Sequence, residues 1–330
     1  MSQCKLRFAQ KKFLNETCVA LLDEDGSLLT FYSIRPEDIN LGDVYTCRIA
    51  QKMPFLNGYF AKIDYDRDIF IDSKESLKEG QILPVQITKE ARMDKVPQAK
   101  RIDMPCIDTP KLLKKASAPS PDDDSVQTEE YPWNDAFDEA MEQACESSVL
   151  TTDGLRLIFE PTHAFYNIDV DSANSSIDIH KANESAAKRI GQEIVKRNIS
   201  GNIIIDFMGR KTSAQAKAWT EILALQLDKS PVPYQIMGLS NIGGFGIRRD
   251  RTRMELSLAN RSQSAQCYAL FKEILKTSNR ISMIRVPLEM YAALTGLFKN
   301  TFDQVQKKYG DSIKIKSDPA CHHYEVEYRT

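Results

Sequence analysis

The sequence is poor in the residues that build soft-metal and nucleophilic sites. Its 330 residues include only four histidines, at 163, 180, 322 and 323, and these show no ligand spacing. His322 and His323 are adjacent, and in a strand they would face opposite sides. The seven cysteines (4, 18, 47, 106, 145, 267, 321) are scattered, odd in number and without a Cys-x-x-Cys pair. That argues against a cysteine zinc site and for a reducing compartment, so a cytoplasmic location is expected. No apolar run approaches the ~18 residues of a membrane span, and the opening Met1-Ser-Gln-Cys-Lys-Leu lacks a signal-peptide pattern.

Charge is nearly balanced, at −2, which by itself speaks against a nucleic-acid binder. Its distribution changes that reading. Residues 102–150 hold twelve acids and three bases, leaving the rest of the chain at +7. Two basic folded parts flank an acidic segment, the pattern of a protein whose partner is polyanionic. Residues 102–133 contain Pro105, Pro110, Pro119, Pro121 and Pro132 with Ser-Ala-Pro-Ser-Pro-Asp-Asp-Asp-Ser at 117–125. Such a composition reads as a linker. Its 122–130 stretch, Asp-Asp-Asp-Ser-Val-Gln-Thr-Glu-Glu, is placed to compete with a polyanion such as a nucleic acid for the basic faces.

The N-terminal part, 1–101, predicts short strands at 5–10, 18–23, 28–32, 44–51, 58–64, 68–72 and 82–88, separated by turn residues. Strands of this number and spacing suggest a small β-barrel over about 35–101. Phe60 and Phe70 stand in strands expected to pair. Such rings serve as core, or, in an OB-type barrel, as a stacking platform for bases beside basic residues. Lys89, Arg92, Lys95, Lys100 and Arg101 follow directly.

A helix is predicted over 134–145 and a hairpin from 149–150 and 155–159. Next comes a strand–helix–strand pattern. The apolar run 164–168 leads to Asp169-Val170-Asp171-Ser172, a helical stretch covers 181–198, and Asn202-Ile-Ile-Ile stops at Asp206. A crossover of this length sets the two strands parallel in one sheet. Asp169 and Asp206 then lie at carboxyl ends of strands, where open α/β sheets build sites. Asp169 and Asp171, two apart, share a face. Three carboxylates gathered there repel one another, and a hard cation such as Mg²⁺ relieves that repulsion. Taken singly, acids at strand ends are more often just solvated turn residues, and it is the trio in this arrangement that points to a site.

A helix over 214–227 and a strand over 234–239 precede Gly-Gly-Phe-Gly-Ile-Arg-Arg-Asp-Arg-Thr-Arg (243–253). Its glycines and aromatic read as flexible backbone, and arginines 248, 249, 251 and 253 suit phosphate oxygens. The tail, 256–330, predicts a helix at 264–276, a strand at 281–286, a helix at 288–309 and strands at 312–317 and 323–328. It carries no motif to which chemistry attaches, so docking or stability is its default role.

With these residues in view, the chain resembles the ribonuclease E/G family of bacterial endoribonucleases. The family signature Ile-Asp-Ile-Asn-Ser/Thr is matched by Ile168-Asp169-Val170-Asp171-Ser172. The later Gly-Gly-(apolar)₃-Asp-Phe is matched by Ser200-Gly201-Asn202-Ile203-Ile204-Ile205-Asp206-Phe207. Asn183-Glu184-Ser185-Ala186 is similar to the family's Asn-x-Glu-Ala, and Gly238 through Arg253 to its glycine- and arginine-containing stretch, with Arg249 and Arg251 matching its arginines. Gly42-Asp43-Val44-Tyr45 and 56–64 look like the opening of its OB-fold, and Phe60, Phe70 and Lys95 match RNA-contacting positions. The resemblance implies cleavage of single-stranded RNA with Mg²⁺ held by Asp169 and Asp206, and Asp171 stands where the family has the asparagine that orients them.

Departures qualify what is carried over. Asp171 replaces an asparagine, and an ionised carboxylate only accepts hydrogen bonds. A family glutamate before the first strand is His163, the one near the arginines is Gly246, and an acid after the second aspartate is Gly209. The acidic linker stands where a 5′-sensor and RNase H-like region would be. The zinc-link Cys-Pro-x-Cys is absent, so no zinc and no zinc-linked tetramer are expected, and a homodimer is left open. The expected architecture is α/β: an OB-type barrel in 1–101, linker 102–133, a mixed-sheet nuclease domain in 134–255 and a small α/β unit in 256–330. The expected function is a Mg²⁺-dependent endoribonuclease. The alternatives are an RNA-binding paralogue without catalysis and a purely structural partner of another ribonuclease.

Overall fold

Alternation of apolar and polar residues shapes the N-terminal part of the chain in a computed structural model, which describes residues 6–92, 95–105, 107–118, 128–173, 176–310 and 312–328. The chain divides into two units. Met1–Lys11, Cys18–Ile34 and Ile39–Ser257 form the first, and Lys12–Thr17, Arg35–Asp38 and Leu258–Thr330 the second.

Strands β1 (Leu6–Phe13), β2 (Glu16–Leu22) and β3 (Leu28–Ile34) open the chain. The barrel follows from β4 (Val44–Met53), β5 (Gly58–Lys62), β6 (Asp68–Asp72), β7 (Ile82–Lys89) and β8 (Gln98–Arg101). It closes in the order β4-β5-β6-β8-β7, with β7 pairing back onto β4, as expected of the OB type. Every second residue points inward: Tyr45, Cys47 and Ile49, then Tyr59 and Ala61, then Ile69 and Ile71, join Leu83, Val85, Ile87 and Ala99 in one buried cluster. Phe60 and Phe70 have the opposite parity and stand outside that cluster.

The stretch read as a linker contains two strands. β9 (Lys111–Lys114) adds to the Val44–Thr46 end of β4, and β10 (Thr128–Tyr131) runs parallel to β1. The Thr46 hydroxyl clasps β9, donating to the Thr109 carbonyl at 2.6 Å and accepting from the Lys111 amide at 3.0 Å. Strand addition to an existing edge satisfies backbone groups without needing many apolar side chains, which is why composition did not reveal it. Residues 119–127, most of the acidic run expected to compete with RNA, lie outside the described residues, as does Cys106. The described end of that run is engaged, since Glu129 pairs with Arg7 at 3.2 Å.

The second half of the first unit is a six-stranded mixed sheet. Its elements are α1 (Asp135–Gln143), β11 (Ser148–Leu150), β12 (Arg156–Pro161), β13 (Phe165–Asp171), α2 (Ile179–Lys196), β14 (Gly201–Asp206), α3 (Ser213–Leu227), β15 (Tyr234–Leu239) and β16 (Phe245–Arg249). The order is β11-β12-β13-β14-β16-β15. As the crossover pattern predicted, β13 and β14 are parallel neighbours joined by α2, while the other pairs are antiparallel. Helices α2 and α3 cover one face. Ala182, Ala186, Ile190 and Ile194 of α2 and Trp219 and Leu223 of α3 pack on Tyr166, Ile168, Ile203, Ile205, Phe245 and Ile247. The segment 243–253, read as flexible, instead supplies β16, paired on both sides within the sheet.

After α4 (Leu256–Asn260), the second unit contains α5 (Gln263–Lys276), β17 (Ile281–Val286), α6 (Leu288–Thr295), α7 (Lys299–Tyr309), β18 (Ile315–Ser317) and β19 (Glu325–Tyr328). Its three-stranded sheet has the order β18-β17-β19 over a core of Phe271, Ile284, Leu294, Phe298 and Phe302. The single helix predicted over 288–309 breaks at Gly296. The backbone there leaves the helix (φ −111°, ψ −100°), and an added Cβ would stand 2.9 Å from the Ala292 carbonyl oxygen.

Candidate active site

One face of the six-stranded sheet is left uncovered by helices, and strand parity decides what it displays. Along β13 the buried residues are Tyr166, Ile168 and Val170, so Asn167, Asp169 and Asp171 turn to the open face. Along β14 Ile203 and Ile205 are buried, so Asn202, Ile204 and Asp206 face outward. The parallel register sets Asp169 directly beside Asp206, and neighbouring strands lie about 4.8 Å apart. The Asp169 carboxyl is pushed above the usual carboxylate range, by burial first and then by the charge of Asp206, with smaller contributions from Asp171 and Glu160. That is the mark of a carboxylate pair whose repulsion is unrelieved on the Asp169 side.

Asp171 does not complete a trio. Its Oδ1 accepts from the Ala173 amide at 3.1 Å in a tight turn where Ala173 is left-handed (φ 43°). Among the described residues no three Asp, Glu, His or Cys side chains gather in a metal-holding group. The expected convergence of three carboxylates is therefore corrected to a pair. Aspartate readily forms such local turns, and this competes with pointing at a shared site.

The support for the pair comes from α2 and from the loop after β14. Asn183, fully buried on α2, donates to the Met208 carbonyl and accepts from the Met208 amide, both at 3.0 Å. Phe207 stacks on Trp219 with centroids 4.1 Å apart. Gly209 is left-handed (φ 71°), and a Cβ there would stand 2.7 Å from Ile179 Cδ1. Lys211 follows and donates to Asp206 Oδ1. Sequence reasoning missed Lys211. Its only signal was a basic residue five positions after the acid, just ahead of a helix cap.

The four arginines of 248–253 have different fates. Parity along β16 buries Phe245, Ile247 and Arg249 and leaves Gly246 and Arg248 on the carboxylate face. Arg249, expected to contact RNA, is instead turned inward at 2% exposure. Its guanidinium donates to Asn198 Oδ1 (3.2 Å), the Ile199 carbonyl (2.9 Å) and Ser230 Oγ (3.0 Å). Burial pushes its pKa down to about 10. Exposed Arg248, which alternation with Phe245 and Ile247 could have identified, presents its charge beside Asn202 and Gln235. Arg253 pairs with Glu90 at 3.1 Å and lies 3.9 Å over the Tyr32 ring. Half-buried Arg251 sits over Gly201, and its pKa is lowered by burial and by nearby Arg92. Two guanidiniums close enough to repel make a place that favours an anion.

Glu90 ties the arm leaving the barrel to the chain after β16. It accepts from the Met254 amide at 2.9 Å, and its own amide donates to the Thr252 carbonyl at 2.8 Å. Lys95, the first described residue after 92, is exposed and forms an antiparallel bridge with Arg92. On the barrel, Phe60 and Phe70 are opposite each other on β5 and β6 and pack edge to face, centroids 5.6 Å apart, outside the core cluster, with Phe60 half-buried and Phe70 buried. Gly58 makes room for the Phe70 ring, since a Cβ there would stand 2.3 Å from Phe70 Cζ.

Comparison with known proteins fits this geometry. The family model described as "Ribonuclease E/G family" matches residues 113–252, the span that includes Asn183, Lys211 and both carboxylates of the pair. The match places a ribonuclease E/G-like segment at 113–252 of this chain. Among curated relatives, it is 25% identical to Ribonuclease G of Escherichia coli over 218 residues, covering 58% of this chain and 44% of the relative. It is 24% identical to Ribonuclease G of Haemophilus influenzae over 203 residues, covering 54% and 41%. The chain spans less than half the length of the curated relatives it matches. The family match begins at residue 113, after the barrel strands β4 to β8, so it says nothing of Phe60 and Phe70.

The pair offers two carboxylates as hard oxygen donors, with no cation paired to Asp169 among the described residues, a donor set that fits a divalent ion of the Mg²⁺ type. No helix among the described residues is long and apolar enough to cross a membrane.

Proposed function

We propose that this protein is a metal-dependent endoribonuclease acting on single-stranded RNA. The observation that carries the reading is the side-by-side placement of Asp169 and Asp206 on the open face of the sheet, with the Asp169 carboxyl raised by burial and by its neighbour. Asp169 and Asp206 would hold Mg²⁺, which supplies a polarised water and offsets charge on the phosphate under attack. Phe60 and Phe70 stack bases, while Arg248, Arg251, Arg92 and Lys95 receive backbone phosphates. Asn183 fixes the chain beyond Asp206 and so the direction of its carboxylate.

Cleavage of a labelled, AU-rich single-stranded RNA by the full chain tests this. Cutting that requires Mg²⁺ and is lost in Asp169→Asn and Asp206→Asn supports the reading. Equal RNA binding by wild type and variants with no cutting by any of them favours the second reading, an RNA-binding family member without catalysis. Two observations favour that second reading: Asp171 is committed to the Ala173 amide, and Lys211 is committed to Asp206.

A further inference from the structure

We propose that Lys211 is the built-in counter-ion of this site, a positioning residue that neutralises Asp206 and sets how tightly the carboxylate pair holds a divalent cation. The inference rests on reading Asp169 and Asp206 as the metal ligands.

The argument begins with the ammonium, which donates to Asp206 Oδ1. The two partners differ sharply in environment. The Lys211 side chain is 13% exposed, whereas that of Asp206 is 67% exposed. An exposed surface pair has two mobile, hydrated partners and contributes little. Here the lysine stem is packed, so the charge is delivered to one place. Lys211 immediately precedes Thr212, the N-cap of α3. The N-terminal end of a helix carries partial positive charge and disfavours a cation, so it is the Asp206 carboxylate that holds the lysine there. The turn at 240–243 lies over the ammonium, which is 3.8 Å from where a Gly243 Cβ would stand. Gly243 (φ 89°) favours glycine for its backbone alone.

The result is an asymmetric pair. Asp206 has a tethered cation on Oδ1, and among the described residues no basic side chain pairs with Asp169. The two carboxylates with Lys211 carry −1 rather than −2. A divalent ion approaching them meets one repelling charge a few ångströms away and finds Oδ1 of Asp206 already engaged. Removing a single positive charge at such a distance from a divalent ion, in a solvated cleft, is worth about tenfold in affinity.

The test is Mn²⁺ binding to the full chain without RNA, followed by water-proton relaxation. Lys211→Met keeps the packed stem and removes the charge, and Lys211→Arg keeps the charge. Lys211→Met is expected to bind Mn²⁺ about tenfold more tightly than wild type, and Lys211→Arg to stay near wild type. Adding Asp206→Asn to Lys211→Met should abolish the gain. Thermal melting of each variant confirms that it is folded. Equal or weaker binding by Lys211→Met overturns this inference alone and leaves the metal-site reading standing. Absence of Mn²⁺ binding in both wild type and Lys211→Met overturns the two together.

Discussion

The side-chain amide of Asn183 and the backbone of Met208 form a closed pair of hydrogen bonds, each 3.0 Å long. A helix that packs on one face of the sheet thereby holds the chain two residues beyond Asp206, whose carboxylate lies on the other face. Asn183→Ala leaves both Met208 groups without this partner in a part-buried setting, and the expected loss is about 1–3 kcal/mol in denaturant unfolding. Asn183→Asp keeps the size but loses the donor and is expected to be at least as harmful. A variant as stable as wild type would show that the clasp is dispensable.

Asp169 should be a residue held in place at the expense of stability. An acid whose carboxyl is raised in the folded protein binds its proton more tightly folded than unfolded. The penalty is therefore complete at neutral pH and disappears as the pH falls through the folded value toward the ordinary carboxylate range. Asp169→Asn is expected to melt higher than wild type at neutral pH, with the gain shrinking on acidification, while RNA cleavage is lost. Paired melting curves from neutral to acid pH decide it. A gain that is constant with pH would place its origin elsewhere.

Arg249 and Arg251, two residues apart, should behave oppositely. Arg249→Ala strips three hydrogen bonds from a buried guanidinium site and is expected to lower stability by about 2–4 kcal/mol. It should leave the salt dependence of RNA binding unchanged. Arg251→Ala is expected to leave stability near wild type and to reduce the slope of log affinity against log salt by about 0.7, the value for one phosphate contact on a single strand. Unfolding curves and RNA titrations at several salt concentrations separate the two.

The outward aromatic pair on the barrel makes a further separable prediction. Phe60 lies outside the barrel core, so Phe60→Ala is expected to cost about 1–3 kcal/mol of single-stranded RNA affinity with little change in melting. Phe70 is more deeply seated, between Phe60 and the bare Gly58. Gly58→Ala places a methyl 2.3 Å from Phe70 Cζ and 2.5 Å from the Ile71 carbonyl oxygen, and should lower stability and RNA affinity together. Undiminished RNA binding by Phe60→Ala would remove the platform from the RNA path.

Several features of the site were legible in the residues because they follow from local rules. Period-two alternation placed Asp169 and Asp171 on one face. A crossover of suitable length predicted that β13 and β14 run parallel. What escaped depended on partners distant in sequence. Arg249 reads as a surface arginine among arginines until β16 is seen inserted between β14 and β15, where parity turns it toward Asn198 and Ser230. The strands β9 and β10 escaped because their stability comes from edges supplied by β4 and β1 rather than from their own composition.

The sequence by itself determined the elements, their alternation and the two aspartates at strand ends, because propensity, pattern and turn chemistry act over a few neighbouring residues. Only the tertiary structure decided that Asp169 and Asp206 share a register, that Asp171 takes up the Ala173 amide, and that Lys211 lays its charge on Asp206. Those outcomes depend on which strand becomes a neighbour and which side chain is forced inward by packing, and burial is a property of the assembled fold rather than of any segment.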